Sequence, residues 1–415
     1  MSIEKVLTKL EISDSLEILK PFWKQSLESY APIEILTNES ALRDIAEDCG
    51  LTENEILKSI NCAKIISESE DLSFIFHHIF RLIFETPEYE NKNFNNFPMI
   101  PQLGEKAGVF YLLIVLTISC EIRNFYKDKN IPEEISKETL HDVKININRY
   151  ARANNGNTGI MPGVLGWFKT HNTRTLYRIG RLQFHYKEFG DDVVVYRNKK
   201  NNEIVVLSKA NINYTKNGFW AVDGKEDKLP DNWISGFEDN EKNVTGNPIN
   251  PNGQAEKKCI TLDKENWELE LSKGRGVLDI HIPEGGGMTV ESCILSMKES
   301  LNFFKEYFPE FKPVAFVCRS WIFSPQYDEI YRSDANFVLF QKEVFLFPVW
   351  SSGKEGLFFV FDTEDIDYDS VETRSSLQRA MVSHLKGGGV LRAGGMIYLC
   401  KDIEFIGQRY YLKHN

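Results

Sequence analysis

The spacing of apolar positions changes once along the chain, and the change divides it in two. Up to about residue 160 apolar residues recur every three to four positions, the period of helices with one buried face. Ser13–Tyr30, Asn38–Cys49, Thr52–Ser67 and Asp71–Glu85 are predicted helices, each opened by Ser, Asn, Thr or Asp. Pro21 should kink or split the first. Lys106–Lys127 reads as a buried helix. Another runs from Pro132, placed at a first helical turn, to about Arg152. The Gly/Asn/Pro-rich stretch Asn154–Gly163 then breaks the pattern and marks a domain boundary.

Beyond that break the period falls to two. Gln183, His185 and Lys187 alternate with Leu182, Phe184 and Tyr186, and Val193–Arg197, Glu203–Ser208 and Phe219–Val222 are further predicted strands. A polar, turn-rich stretch from Asp223 to Gly276 holds short strand-like pieces at Cys259–Leu262 and Trp267–Leu271. The C-terminal part alternates strand and helix. Val277–Ile282 is a strand, and the helix after Thr289 carries a stripe of Val290, Ile294, Met297, Leu301, Phe304 and Phe308. Val314–Trp321, Phe337–Val349, Gly356–Phe361 and Met396–Cys400 are predicted strands, Ser324–Tyr331 and Ser375–Lys386 helices. A strand–helix–strand unit pairs its strands in parallel. The expected fold class is therefore α+β with two domains: residues 1–160 all helical, residues 161–415 a mixed α/β domain.

Composition narrows the function. A chain of 415 residues exceeds one compact core. A net charge of −11 leaves no basic excess for nucleic acid or an anionic membrane, so neither is an expected partner. Seven dispersed cysteines, without a C-x-x-C pair, give no zinc-ligand spacing, and no metal is expected. The most apolar run, Ala107–Cys120, is shorter than a bilayer span, and MSIEKVLTKLEISD lacks the apolar run of a signal peptide. A cytoplasmic protein is the expectation.

The most informative segment is VLDIHIPEGGGMTVES, Val277–Ser292. A strand stops at Pro283, turns through Gly285, Gly286 and Gly287, and opens a helix. Glycines there let backbone N–H groups approach a ligand closely, and a helix N-terminus adds roughly half a positive charge. That combination suits phosphate or pyrophosphate. The other reading is a tight connection that holds nothing. The second glycine cluster, Gly387–Gly389 with Gly394 and Gly395, follows a helix and reads as cap and loop.

Asp279 and His281, two apart on the strand, share one sheet face just ahead of the glycines. They form either a general base with its orienting partner or a pair that only fixes the sheet. Glu284 is a second base candidate, or a solvated loop carboxylate. Cys318, with no local base to activate it, reads as a core residue. His77–His78 lies in a dense apolar helix and reads as packing. Arg174, Arg178 and Arg181 either form a solvated basic face, or pair with a cofactor phosphate or lock the domain interface.

The segments LYRIGRLQF (Leu176–Phe184), VLDIHIPEGG (Val277–Gly286), FVCRSW (Phe316–Trp321) and SLQRAMVSHL (Ser376–Leu385) resemble the bacterial two-domain acyltransferases. Those proteins join a helical N-acyltransferase N-terminal domain to a C-terminal domain like that of the GNAT superfamily. The resemblance implies a CoA-dependent N-acyltransferase, with acetyl-CoA or another acyl-CoA as co-substrate and a small-molecule amine as acceptor. It implies that Pro283, Gly285, Gly286, Gly287, Met288 and Thr289 hold the pyrophosphate in a Q/R-x-x-G-x-G/A turn. Here Ile282 replaces the leading Gln or Arg, leaving one phosphate contact unaccounted for. It implies a helical tyrosine that protonates the departing thiolate. Tyr331 fits best, with Tyr327 one turn earlier as fallback, and Asn336–Phe337 replaces a Gly–Phe pair. His281, oriented by Asp279, and then Glu284 are the implied bases. The rival expectation is a non-catalytic acyl-CoA-binding sensor or scaffold.

Overall fold

Helices fill the first unit of the computed structural model, which describes residues 2–413; the unit spans Met1–Ile179 and a second spans Gly180–Asn415. Their starts follow the caps read from sequence. Asn38 accepts the Ala41 N–H at 3.1 Å ahead of helix Glu39–Asp48, and Thr52 and Glu55 form a reciprocal capping box ahead of Glu53–Ser67. At Pro21 the first predicted helix splits, with Phe22 in the left-handed region (φ +59°) between Leu16–Leu19 and Trp23–Glu28. The helix expected from Pro132 is two, Glu133–Leu140 and Asp142–Ala153, and Pro132 caps the first from outside. Asp142 turns inward there, accepting from Trp167 Nε1 at 2.7 Å and His171 Nε2 at 3.0 Å.

Ala107–Asp128 is the core of this unit, with Phe110 to Leu116 almost wholly buried. Among the described residues it forms the one helix long and apolar enough to cross a membrane, and most of it is enclosed by its own unit. The unit continues past the Asn154–Gly163 break through helix Leu165–Asn172, whose Leu165 and Phe168 are buried, so the division falls after Ile179, later than the expected boundary at 160.

The second unit is built on strands β1 (Leu182–Glu188), β2 (Gly276–His281), β3 (Ala315–Ser320), β4 (Phe345–Pro348) and β5 (Gly394–Leu399), in the spatial order β1-β2-β3-β5-β4. β2 and β3 are parallel, joined by helix α1 (Val290–Tyr307); the other pairs are antiparallel. α1 buries Cys293, Met297, Phe303 and Phe304. Each large side chain removed from water contributes ~1.5–3 kcal/mol. A second, five-stranded antiparallel sheet carries Val193–Asn198 at its interior and packs Val194, Tyr196 and Leu207 against Val244 and Leu262 of a three-stranded sheet. The buried guanidinium of Arg197 ties it to the C-terminal segment, bonding Glu270 at 3.2 Å and Asp402 at 2.8 Å.

Three expected strands differ. Asn336–Gln341 is helix α2, and only Phe345–Pro348 of Phe337–Val349 is strand. Leu357–Phe361 is also helical, and Phe219–Val222 keeps only a bridge at Trp220. A short apolar run has no period of its own, so its neighbours decide. Val338 and Leu357 are buried in one cluster with Tyr327 and Met381, against which Trp321 packs. Gly394 and Gly395 belong to β5 and not to a loop. A Cβ on Gly394 would lie 1.9 Å from the Phe323 carbonyl oxygen, and on Gly395 2.2 Å from the Phe347 ring.

Candidate active site

β2 has two faces of opposite character. Leu278 and Ile280 are buried on one, opposite Tyr186 and Phe184 of β1. Val277, Asp279 and His281 lie on the other, opposite Lys187, His185 and Gln183. Asp279 is 8% exposed. Lys187 Nζ stands 2.6 Å from its Oδ2 and His281 Nε2 3.4 Å from the same oxygen. Burial pushes the Asp279 carboxyl up, but His281 and Lys187 outweigh it and hold the group below its ordinary range. Asp279 is thus an anion held beside the His281 imidazole. On the same face of β3, exposed Arg319 reaches Asp191 at 3.3 Å.

The strands part at this point. β1 stays in register with β2 as far as His281↔Gln183, and β3 with β5 as far as Ser320↔Gly394. Pairing between β2 and β3 stops at Asp279↔Val317. Beyond it Ile280 and His281 of β2 and Cys318 to Ser320 of β3 pair only with their outer neighbours, leaving a gap in the ladder between the two parallel strands. Crevices at the carboxyl ends of parallel strands are where α/β proteins take ligands.

The glycine turn adjoins that gap. Gly285 (φ +85°) and Gly286 (φ +62°) occupy the left-handed region, where a side chain would be strained. Glu284 to Gly287 are exposed. A Cβ on Gly285 would meet nothing within 4 Å, and on Gly287 only Asn336 Nδ2 at 3.7 Å. Among the described residues no hydrogen bond engages the N–H groups of Gly285, Gly286, Gly287 or Met288. Four successive donors thus lie just ahead of an 18-residue helix, an arrangement suited to an anion. Pro283 and Met288 are buried and serve as anchors for the turn, while Thr289 caps α1 by accepting the Ser292 N–H at 3.2 Å.

Of the three arginines, Arg181 reaches the turn. Its main-chain N–H donates to Ser296 Oγ at 2.7 Å, and its Nε donates to the Gly287 carbonyl at 2.9 Å. Arg174 and Arg178 stay within the helical unit, beside Glu121 at 3.8 Å and Glu138 at 3.2 Å. Glu284 lies exposed on the turn.

Tyr331 is half-buried, its hydroxyl 2.9 Å from Ser376 Oγ. Tyr327 is buried against Trp321 and Phe337, its hydroxyl has no partner, and burial pushes its pKa up. Phe337 stacks on Tyr331, and its neighbour Asn336 borders Gly287. Cys318 is 4% exposed, and burial raises its thiol well above the usual range, with the Asp279 charge adding to the effect. It is a core residue. So is His78, bonded to Ser26 Oγ and the Leu19 carbonyl, both at 2.7 Å.

Sequence reasoning passed over His185 and Lys187. The alternation along β1 put them on one face, but which strand lies beside β1 is a tertiary fact.

Residues 176–397 match the model of the GNAT-like C-terminal domain, and residues 40–173 that of the N-acyltransferase N-terminal domain. The fold is similar to that of an acyltransferase crystallised with decanoyl-CoA and teicoplanin (19% identity, TM-score 0.65, 96% of this chain and 99% of that one). It is similar also to a point mutant of an acyltransferase in complex with octanoyl-CoA (18% identity, TM-score 0.64, the same coverage). No curated protein matches the sequence.

Proposed function

The chain belongs to the family defined by the GNAT-like C-terminal domain, and from that premise we propose that it is an acyl-CoA-dependent N-acyltransferase working by direct transfer. The observation that supports this most is the open glycine turn: four unengaged main-chain N–H groups at a helix N-terminus, beside diverging parallel strands. The N–H groups suit the pyrophosphate of coenzyme A. The unpaired strand edges suit its amide-bearing arm, which can bond to them as an added strand does.

The reacting atoms then follow. The acceptor amine attacks the thioester carbonyl carbon, the C–N bond forms, and the C–S bond breaks to release a thiolate. His281 takes the proton shed by the amine, with the Asp279 carboxylate 3.4 Å from its ring. Asp279 stabilises the imidazolium that results, and its own charge is balanced by Lys187. Tyr331, half-exposed and hydrogen-bonded to Ser376, supplies the proton to the thiolate. Holding amine and thioester in line contributes much of the rate.

The acceptor is an amine. Solved relatives in fold were crystallised with octanoyl- or decanoyl-CoA, and one with teicoplanin, so medium acyl chains and larger amines belong beside acetyl-CoA and small amines in any screen. The test is release of free CoA thiol, with mass spectrometry of the product, across acetyl-, octanoyl- and decanoyl-CoA and a panel of amines. An amide product that is lost in His281→Gln, with acyl-CoA affinity kept, is expected. Binding of acyl-CoA without transfer to any amine would leave a sensor as the better reading.

A further inference from the structure

The polar face of the sheet has a second chemistry. Asp279 and His281 project from β2 two residues apart, and His185 lies directly opposite Asp279 on β1. One ligating atom from each of the three residues lies within 4.8 Å of the other two, and the imidazole centroids are 6.2 Å apart. We propose that His185, Asp279 and His281 form a site for a borderline divalent cation, with Zn²⁺ as the reference ion. Occupancy of this site and proton transfer through His281 exclude one another.

The donor set supports this. Two imidazoles and one carboxylate on one sheet face leave coordination positions open toward solvent, the pattern that binds zinc and its neighbours in the first transition row. In a tetrahedral site with bonds near 2 Å, ligand atoms lie ~3.4 Å apart. The observed spread, within 4.8 Å, is close enough to be closed by side-chain rotation. His281 is about a third exposed, which opens a path for entry.

A resident cation opposes the ion. The Lys187 ammonium, 2.6 Å from Asp279 Oδ2, occupies the carboxylate that the metal needs, and its side chain is 43% exposed and free to swing outward. Ligand loss and lysine loss should then move affinity in opposite directions. Exposed Cys259 is the competing soft ligand, so titrations belong in a Cys259→Ser background.

The experiment uses the full chain without acyl-CoA, titrated with Co²⁺ by visible absorption and with Zn²⁺ by competition. One ion per chain is expected, with ligand-field bands and no thiolate charge-transfer band. His185→Ala should weaken binding ~10²-fold, while Lys187→Met should tighten it at least tenfold, with circular dichroism confirming the fold of both. No saturable binding, a thiolate band, or equal affinity in all three proteins would overturn the site. The catalytic consequence rests on His281 being the proton acceptor, whereas the titration does not. In turnover, Zn²⁺ should inhibit the wild type competitively against the amine, and His185→Ala should resist it. Binding with no inhibition would refute the exclusion alone.

Discussion

Gly285→Val separates the anion-holding role of the glycine turn from its structural role. Gly285 has φ +85°, so any side chain there is strained, at a cost of ~1–2 kcal/mol or more for a branched one. A Cβ meets nothing within 4 Å, so packing adds no further penalty. For a domain of 150–250 residues each kcal/mol lowers Tm by ~2–4 °C, giving a fall of ~2–8 °C without ligand. The ligand side is larger. Each charge-assisted hydrogen bond is worth ~1.5–3 kcal/mol, or ~10- to 150-fold in affinity. Rotation of the turn to relieve strain, with a valine in the open space, removes one or two of them. At 100 times the dissociation constant a ligand stabilises by ~2.7 kcal/mol; a 100-fold weaker variant keeps ~0.4 kcal/mol. The assay is thermal shift against decanoyl-CoA and decanoyl-pantetheine, which lacks the pyrophosphate. Gly224→Val serves as control, also left-handed (φ +73°) and open. Gly224→Val should keep the full CoA shift, and Gly285→Val should lose it while retaining turnover of the pantetheine thioester. Wild-type affinity for decanoyl-CoA in Gly285→Val, or equal loss of both thioesters, would refute the reasoning.

Three further outcomes are expected. Tyr331→Phe should lower kcat ~10²-fold with acyl-CoA affinity kept, whereas Tyr327→Phe, deleting a buried hydroxyl without a partner, should raise stability by ~1 kcal/mol; steady-state kinetics and Tm distinguish them, and an unchanged kcat in Tyr331→Phe would assign the thiolate's proton to water. Arg197→Met removes the guanidinium from the buried carboxylates of Glu270 and Asp402, leaving them the Lys401 ammonium at 2.7 Å and the Tyr411 hydroxyl at 2.9 Å, at ~3–5 kcal/mol and a Tm lower by ~6–20 °C; a fall under 2 °C in calorimetry would show that those two partners suffice. His78 is held neutral by burial, its pKa lowered to about 4 from 6.5, so the unfolded chain binds more protons between those values. Stability of the helical unit should be full above pH 6.5 and fall by ~3 kcal/mol as pH drops to 4, a slope that His78→Asn removes in urea titrations.

The sequence alone determined most elements, because long periodic segments name their own structure. The stripe from Val290 to Phe308 is helix since its period admits nothing else, and Asn38, Thr52 and Thr289 set helix starts through bonds to residues three positions on. The strand, glycine turn and helix of Gly276–Tyr307 were legible for the same reason: each is local. Short runs were not. FVLFQ and LFFVF lack the length to show a period, and contacts with Tyr327 and Met381 made them helices. Only the tertiary structure decided what stands beside Asp279. His185 and Lys187 come from a strand about 90 residues earlier, and pairing of β1 with β2 rather than with another strand places them there. The parting of β2 from β3 and the reach of Arg181 to Gly287 have the same origin. A sheet's faces are written along each strand with period two, but its order is chosen by how the whole core closes.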